Sequence, residues 1–264
     1  MEKNNILHSK IYGPEKDGTP LLVFHGLFGM LDNWGSFGKE MSEFFPVHLI
    51  DLRNHGKSFH SPEMSHDDLA YDILHYMEFH GLEKVNLLGH SLGGKAVMQF
   101  ALKYPVKVEN LIVVDISPKA YPPHHQGILK ALSSVDFAKV KTRQDVEEEL
   151  SKFIPEKGVI LFLAKSLYWT EDKTLNWRFN LPTLTEKYNE FVSNAVKYGV
   201  FKGRALFMAG EKSNYILPQD EFPIKQQFPH ASIVTIKNAG HWVQAENPTD
   251  FNEVVKDFLT ETEI

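Results

Sequence analysis

Short apolar runs punctuate the chain, and each ends in a polar or glycine-rich turn. Leu21-Leu22-Val23-Phe24 leads into His25-Gly26-Leu27-Phe28-Gly29, and Val47-His48-Leu49-Ile50 leads into Asp51-Leu52-Arg53-Asn54-His55-Gly56. Val85 to Leu88 leads into Gly89-His90-Ser91-Leu92-Gly93, and Val108 to Val114 into Asp115-Ile116-Ser117-Pro118. Runs this short that do not alternate with polar residues read as strands buried on both faces. Between them the apolar positions recur at helical spacing, from Trp34 to Phe44, from Ser65 to His80 and from Lys95 to Lys103. In the second of these, Ser65 is placed to cap, Asp67 and Asp68 fall in the first turn, and Leu69, Ile73 and Met77 share one face. Ile6 to Tyr12 alternates weakly and predicts an edge strand. Strand and helix alternating in this way predict an α/β fold with a mostly parallel, doubly wound sheet and right-handed crossovers.

The alternation then stops. From Pro118 to Lys202 only helical periodicity is found, over Ile128 to Val135, Thr142 to Phe153, Val159 to Tyr168 and Thr185 to Tyr198. Strand patterns resume at Arg204 to Ala209 and Ala231 to Ile236, and an amphipathic helix from Thr249 to Leu259 closes the chain. The expected organisation is therefore a core of residues 1–117 and 203–264, interrupted by a helical cap, residues 118–202, lying over the loops at the strand ends. The cap is rich in aromatic residues (Phe162, Tyr168, Trp169, Trp177, Phe179), most simply for packing, though some should wall a pocket if the cap covers those loops.

Composition narrows the chemistry. The 264 residues are 42% hydrophobic, enough for one domain with a full core and an insertion. Lys plus Arg number 28 against 34 Asp plus Glu, a net charge of −6, and there is no basic run to track a phosphate backbone, so nucleic acid is not an expected partner. With no cysteine, disulfides, a thiolate nucleophile and cysteine-ligated metals are excluded. Apolar runs such as Val159 to Ala164 are far shorter than the roughly 18 residues of a membrane span. The first residues show no secretory pattern, and a cytoplasmic location is expected.

Gly89-His90-Ser91-Leu92-Gly93 falls between a strand and a helix, which makes it a nucleophile elbow. The turn must be tight enough to strain Ser91 and to leave no room for side chains at residues 89 and 93. A serine hydroxyl needs a base and a group to orient that base. His241, in Gly240-His241-Trp242 after the last strand, projects over the same sheet end, whereas His124-His125 reads as an exposed pair at the cap entrance. The acid is less plain. The loop after the Arg204 strand, Gly210-Glu211-Lys212-Ser213, holds Ser213 where a carboxylate is usual. Asp115, at the tip of the neighbouring strand, is better placed than Glu211, which follows its glycine too early to turn back. The amides of Leu27 and Leu92 are the pair available for an oxyanion hole. Asp51-Leu52-Arg53-Asn54-His55-Gly56 reads as a structural turn closed by local pairing of Asp51 with Arg53.

These strings resemble the α/β-hydrolase superfamily and, within it, the YbfF-type esterases. The likeness rests on His25 to Gly29 with Leu31-Asp32-Asn33, Asp51 to Gly56, Gly89 to Val97, Asp115 to Pro118, Trp177-Arg178-Phe179-Asn180 and Gly240 to Val243, which span almost the whole chain. It implies carboxylesterase activity on small acyl esters with Ser91, Asp115 and His241 as the catalytic set, and a role for Ser213 beside the histidine. It also implies that Arg178 either fastens the cap or meets an acidic substrate group. Phe28, Trp177, Arg178 and Trp242 are the candidate substrate contacts. No metal or organic cofactor is required. Thioester, amide or carbon–carbon hydrolysis, and acyl transfer to an alcohol, would use the same triad, and a non-catalytic binding protein on this scaffold would have no need of Ser91 and His241.

Overall fold

The computed structural model describes residues 5–197 and 199–260. Among the described residues, nine strands and ten α-helices follow one another as β1 (Ser9–Tyr12), β2 (Leu21–Phe24), α1 (Gly35–Met41), β3 (Val47–Ile50), α2 (His66–Phe79), β4 (Val85–His90), α3 (Leu92–Lys103), β5 (Val108–Val114), α4 (Gln126–Ser134), α5 (Arg143–Ser151), α6 (Lys157–Ala164), β6 (Leu167–Trp169), β7 (Leu175–Trp177), α7 (Leu181–Glu186), β8 (Arg204–Gly210), α8 (Glu221–Gln227), β9 (Ala231–Ile236), α9 (Val243–Glu246) and α10 (Pro248–Thr260). Seven strands form one sheet in the order β1-β3-β2-β4-β5-β8-β9. Only β1 runs antiparallel, and it sits at the edge beside β3. The doubly wound α/β arrangement is the one the hydrophobic pattern predicts.

Side chains leave a strand alternately to either face, so each run of four apolar residues feeds two cores. Leu22 and Phe24 join one with Leu69, Ile73 and Met77 of α2 and Ala96 and Val97 of α3. Leu21 and Val23 join the other with Phe37 and Met41 of α1 and Phe251 and Val255 of α10. The capping at Ser65 is present, with its hydroxyl accepting from the Asp68 amide while Asp68 accepts from the Ser65 amide. This anchors α2 at its N-terminus, where Asp67 and Asp68 also meet the favourable end of the helix dipole.

Three expectations need correction. Asp51 and Arg53 do not pair: Asp51 accepts from the amides of Leu31 and Lys57, while Arg53 donates to both carboxylate oxygens of Asp72 at 2.5 and 2.7 Å. The carboxylate turns into its own loop, and the guanidinium reaches α2 instead. The segment from Pro118 to Lys202 is not wholly helical, because β6 and β7 form an antiparallel hairpin in which Leu167 faces Trp177. The expected helix through Tyr168 therefore ends at Ala164, where packing of alternate side chains on the hairpin takes over from helical spacing. The helix expected over Thr185 to Tyr198 is a short α7 and a π-helical turn, Asn189–Ser193, and Tyr198 itself lies outside the described residues. None of this segment adds a strand to the seven-stranded sheet, yet Leu129, Leu163, Trp177 and Phe191 belong to the same apolar cluster as Phe24.

Candidate active site

β4 ends at His90 and α3 begins at Leu92, so Ser91 alone makes the turn, with φ 53° and ψ −114°. A non-glycine residue there is strained, and the neighbouring backbone holds it in place. A Cβ on Gly89 would lie well inside van der Waals distance of the Gly93 carbonyl, and one on Gly93 would meet the Phe24 carbonyl. Asp115 at the tip of β5 has φ 49°, and Phe28 after β2 has φ 61°. Strain thus gathers at the ends of three adjacent strands, β2, β4 and β5, where the register aligns Phe24 with Gly89 and His90 with Val114.

The carboxylate of Asp115 is wholly buried and fully engaged. Its Oδ1 accepts from the Gly210 amide at 3.0 Å, and its Oδ2 accepts from His241 Nδ1 at 2.8 Å and from the Ser213 hydroxyl. Ser213 therefore works on the acid and does not touch the histidine's ring nitrogens. Its own oxygen accepts from the Tyr215 amide at 3.2 Å. Glu211 is turned away, accepting from the Asn238 amide at 2.8 Å.

Two rings clamp His241. Tyr215 stacks on it with centroids 4.0 Å apart and planes 19° from parallel, and His90 lies 4.7 Å away on a tilted plane. His90 Nε2 also donates to the His241 carbonyl at 2.7 Å. Among the described residues no hydrogen bond joins the Ser91 hydroxyl to the His241 ring; both line one cavity of about 230 Å³.

The loop after β2 is pinned by two neutral histidines, His25 and His55. Leu52 N–H donates to His25 Nε2, so Nδ1–H donates to the Gly26 carbonyl. Phe28 N–H donates to His55 Nε2, and the His55 Nδ1–H donates to the Arg53 carbonyl. Burial pushes His25 down to about 4 and His55 down to about 3, the latter helped by the neighbouring imidazole of His25. With Phe28 N–H taken by His55 and Gly29 N–H by the Gly26 carbonyl, the Leu27 amide has no partner among the described residues. Leu92 N–H lies in the first turn of α3, where the helix offers its donors no partner.

Phe28 and Trp242 line the cavity, and Phe162 of α6 packs against Trp242 in its wall with centroids 5.5 Å apart. Trp177 and Arg178 are not among the residues lining it. Trp177 is buried behind Phe28, stacked on Phe179 at 5.3 Å, and Phe179 in turn packs on Phe28 at 5.1 Å. Arg178 lies over the Tyr168 ring at 4.7 Å and lines a separate groove with Asp51 and Lys57. The string fastens the insert through Asn180, whose amide N–H donates to the Asn54 carbonyl at 2.9 Å. His125, expected to be exposed, also lines the cavity, with Nδ1 on the Tyr188 hydroxyl at 2.6 Å.

The model of the alpha/beta hydrolase fold family matches residues 19–144. Esterase YbfF of Escherichia coli is 33% identical to this chain, over 94% of it and 95% of the relative. The Mus musculus protein named sn-1-specific diacylglycerol lipase ABHD11 is 36% identical, over 91% of this chain and 81% of its own. The chain belongs to the α/β hydrolases, in the YbfF-type esterase group. Among solved structures, a marine microorganism esterase matches this esterase with a TM-score of 0.92 and 37% identity, over 96% of the present chain and 99% of the other. The histidine pins and the Asn54–Asn180 tie of this esterase fall within the shared strings, which do not say what each residue meets, and Tyr215 falls outside them. Only the fold brings their partners together.

Proposed function

We propose that this esterase is a serine carboxylesterase that hydrolyses small acyl esters through an acyl-enzyme, with Ser91, His241 and Asp115 as its triad. The observation that carries the reading is the 2.8 Å bond from His241 Nδ1 to the buried Asp115, made at the rim of the cavity that Ser91 also lines. Because Nδ1 is committed, Nε2 is the nitrogen that takes the Ser91 proton as Oγ attacks the carbonyl. The amides of Leu27 and Leu92 then hold the oxyanion, and His241 returns the proton to the departing alcohol. Water repeats the steps on the acyl-enzyme. Asp115 fixes the tautomer and orientation of the ring, and Ser213 positions Asp115. Residues 118–202 act as the cap over a core of 1–117 and 203–264. The cap supplies His125, Ile128, Val159, Phe162 and Leu163 to the cavity wall.

The test is Ser91→Ala assayed with p-nitrophenyl acetate. Turnover should fall by at least about 10⁴-fold, with an unchanged far-ultraviolet circular dichroism spectrum. Activity within tenfold of the parent, by about one order of magnitude, would contradict the proposal.

A further inference from the structure

Ser91 opens onto a second, much smaller cavity of about 20 Å³. Leu27, Leu92 and Ile116 of the core line it together with Tyr121, Phe191 and Val192 of the insert. His125 and Tyr215 border both cavities, but His241 and Trp242 line only the larger one. Lys95 also borders the small cavity, with its ammonium already directed to the carbonyls of Pro118, Lys119 and Asn194. Its three N–H groups are spent on those carbonyls, so the charge offers nothing further to a substrate carboxylate.

We infer that the two cavities divide the ester at its carbonyl, so that the enzyme takes a short acyl group, of acetyl size, joined to a larger and mainly apolar alcohol. The inference rests on the acyl-transfer reading above and sharpens it. Ser91 Oγ forms a bond to the carbonyl carbon, the ester C–O bond breaks with its electron pair leaving on the alcohol oxygen, and that oxygen needs the proton held by His241. The alcohol must therefore lie on the side of Ser91 that His241 lines, which is the larger cavity. There Ile128, Val159, Phe162 and Leu163 give it apolar walls. The acyl group goes to the other side. At about 20 Å³ against about 230 Å³ by the same measure, the small cavity takes the smaller half of the ester.

Two ester series test the division. With p-nitrophenyl acetate, butyrate and octanoate, kcat/KM should drop by about tenfold or more from acetate to butyrate, since one methylene in an apolar pocket is worth about 10- to 200-fold. With methyl, hexyl and 2-naphthyl acetates, kcat/KM should hold or rise as the alcohol grows. Val192→Ala should raise the butyrate-to-acetate ratio by about tenfold and leave the hexyl-to-methyl acetate ratio where it was. A wild-type preference for octanoate over acetate, or an unchanged butyrate-to-acetate ratio in a folded Val192→Ala variant, would overturn the division while leaving an esterase in place. Absence of turnover in both series would remove the acyl-transfer reading, and this inference with it.

Discussion

The strand-end rim and the insert between β5 and β8 both border Ser91, but they are built by different physics. At the rim, backbone geometry decides: Phe28, Ser91 and Asp115 all have positive φ, and backbone carbonyls fill the space beside Gly89 and Gly93. Hydrogen bonds to buried neutral histidines then fix the loops. In the insert, volume decides, through the ring contacts that run Phe137–Trp177–Phe179–Phe28 and through apolar packing continuous with the core. Its polar ties to the core include Asn180 to Asn54 and Lys95 to the carbonyls of Pro118, Lys119 and Asn194. The proposed triad is thus held where one added atom is intolerable. The proposed substrate-selecting walls lie where an added or removed atom has a graded effect.

The largest effect expected at the rim is on kcat. Asp115→Asn should lower it by about 10⁴-fold through loss of the productive tautomer, whereas Glu211→Gln, whose carboxylate only meets the Asn238 amide, should stay within about threefold. Equal mild losses in both variants would erase the assigned acid.

A glycine pair compares the two regions directly. Gly89→Ala should cost at least about 3 kcal/mol of stability in urea unfolding, because a Cβ there collides with fixed backbone. Gly127→Ala in α4, with nothing near the added methyl, should cost nothing and gain up to about 1 kcal/mol. Similar losses at the two sites would contradict the contrast.

Acid sharpens it further. Burial lowers His25, His48 and His66 to about 4 from an ordinary 6.5, the neighbouring His80 adding to the shift at His48 and Lys95 to that at His66. Between those values the unfolded chain binds protons that the folded chain refuses. Stability should therefore fall as pH drops from 6.5 toward 4, by up to about 1.4 kcal/mol per unit for each such group. Urea midpoints that stay flat from pH 6.5 to 4.5 would show these rings to be protonated in the fold. The smallest effect belongs to the insert. Arg178→Ala should lose about 0.5–1 kcal/mol with its Tyr168 contact and leave KM for p-nitrophenyl acetate unchanged, since Arg178 does not line the cavity.

What could be read in the sequence follows the same division. Strands buried on both faces are continuous apolar runs, and the serine turn and the histidine loop announce themselves by glycine spacing. The nearness of Asp115 to His241 was legible because the parallel register puts the end of β5 beside the serine turn. The hairpin was not, since three-residue strands are too short to show a period against the helical spacing around them. Trp177-Arg178 read as substrate contacts from a shared string, but stacking on Phe179 turns the tryptophan into the core. The contacts of His25, His90 and Tyr215 were silent because their partners are distant along the chain: Leu52 for His25, and His241 for both His90 and Tyr215.

The central claim is that folding joins Ser91, His241 and Asp115 into one acylating unit. Its most direct measurement is labelling with a fluorophosphonate probe followed by peptide mass spectrometry. The adduct should sit on Ser91, vanish in Ser91→Ala and form at least about 10³-fold more slowly in His241→Ala. An adduct on another residue, or labelling of Ser91 at the parent rate without the imidazole, would contradict it.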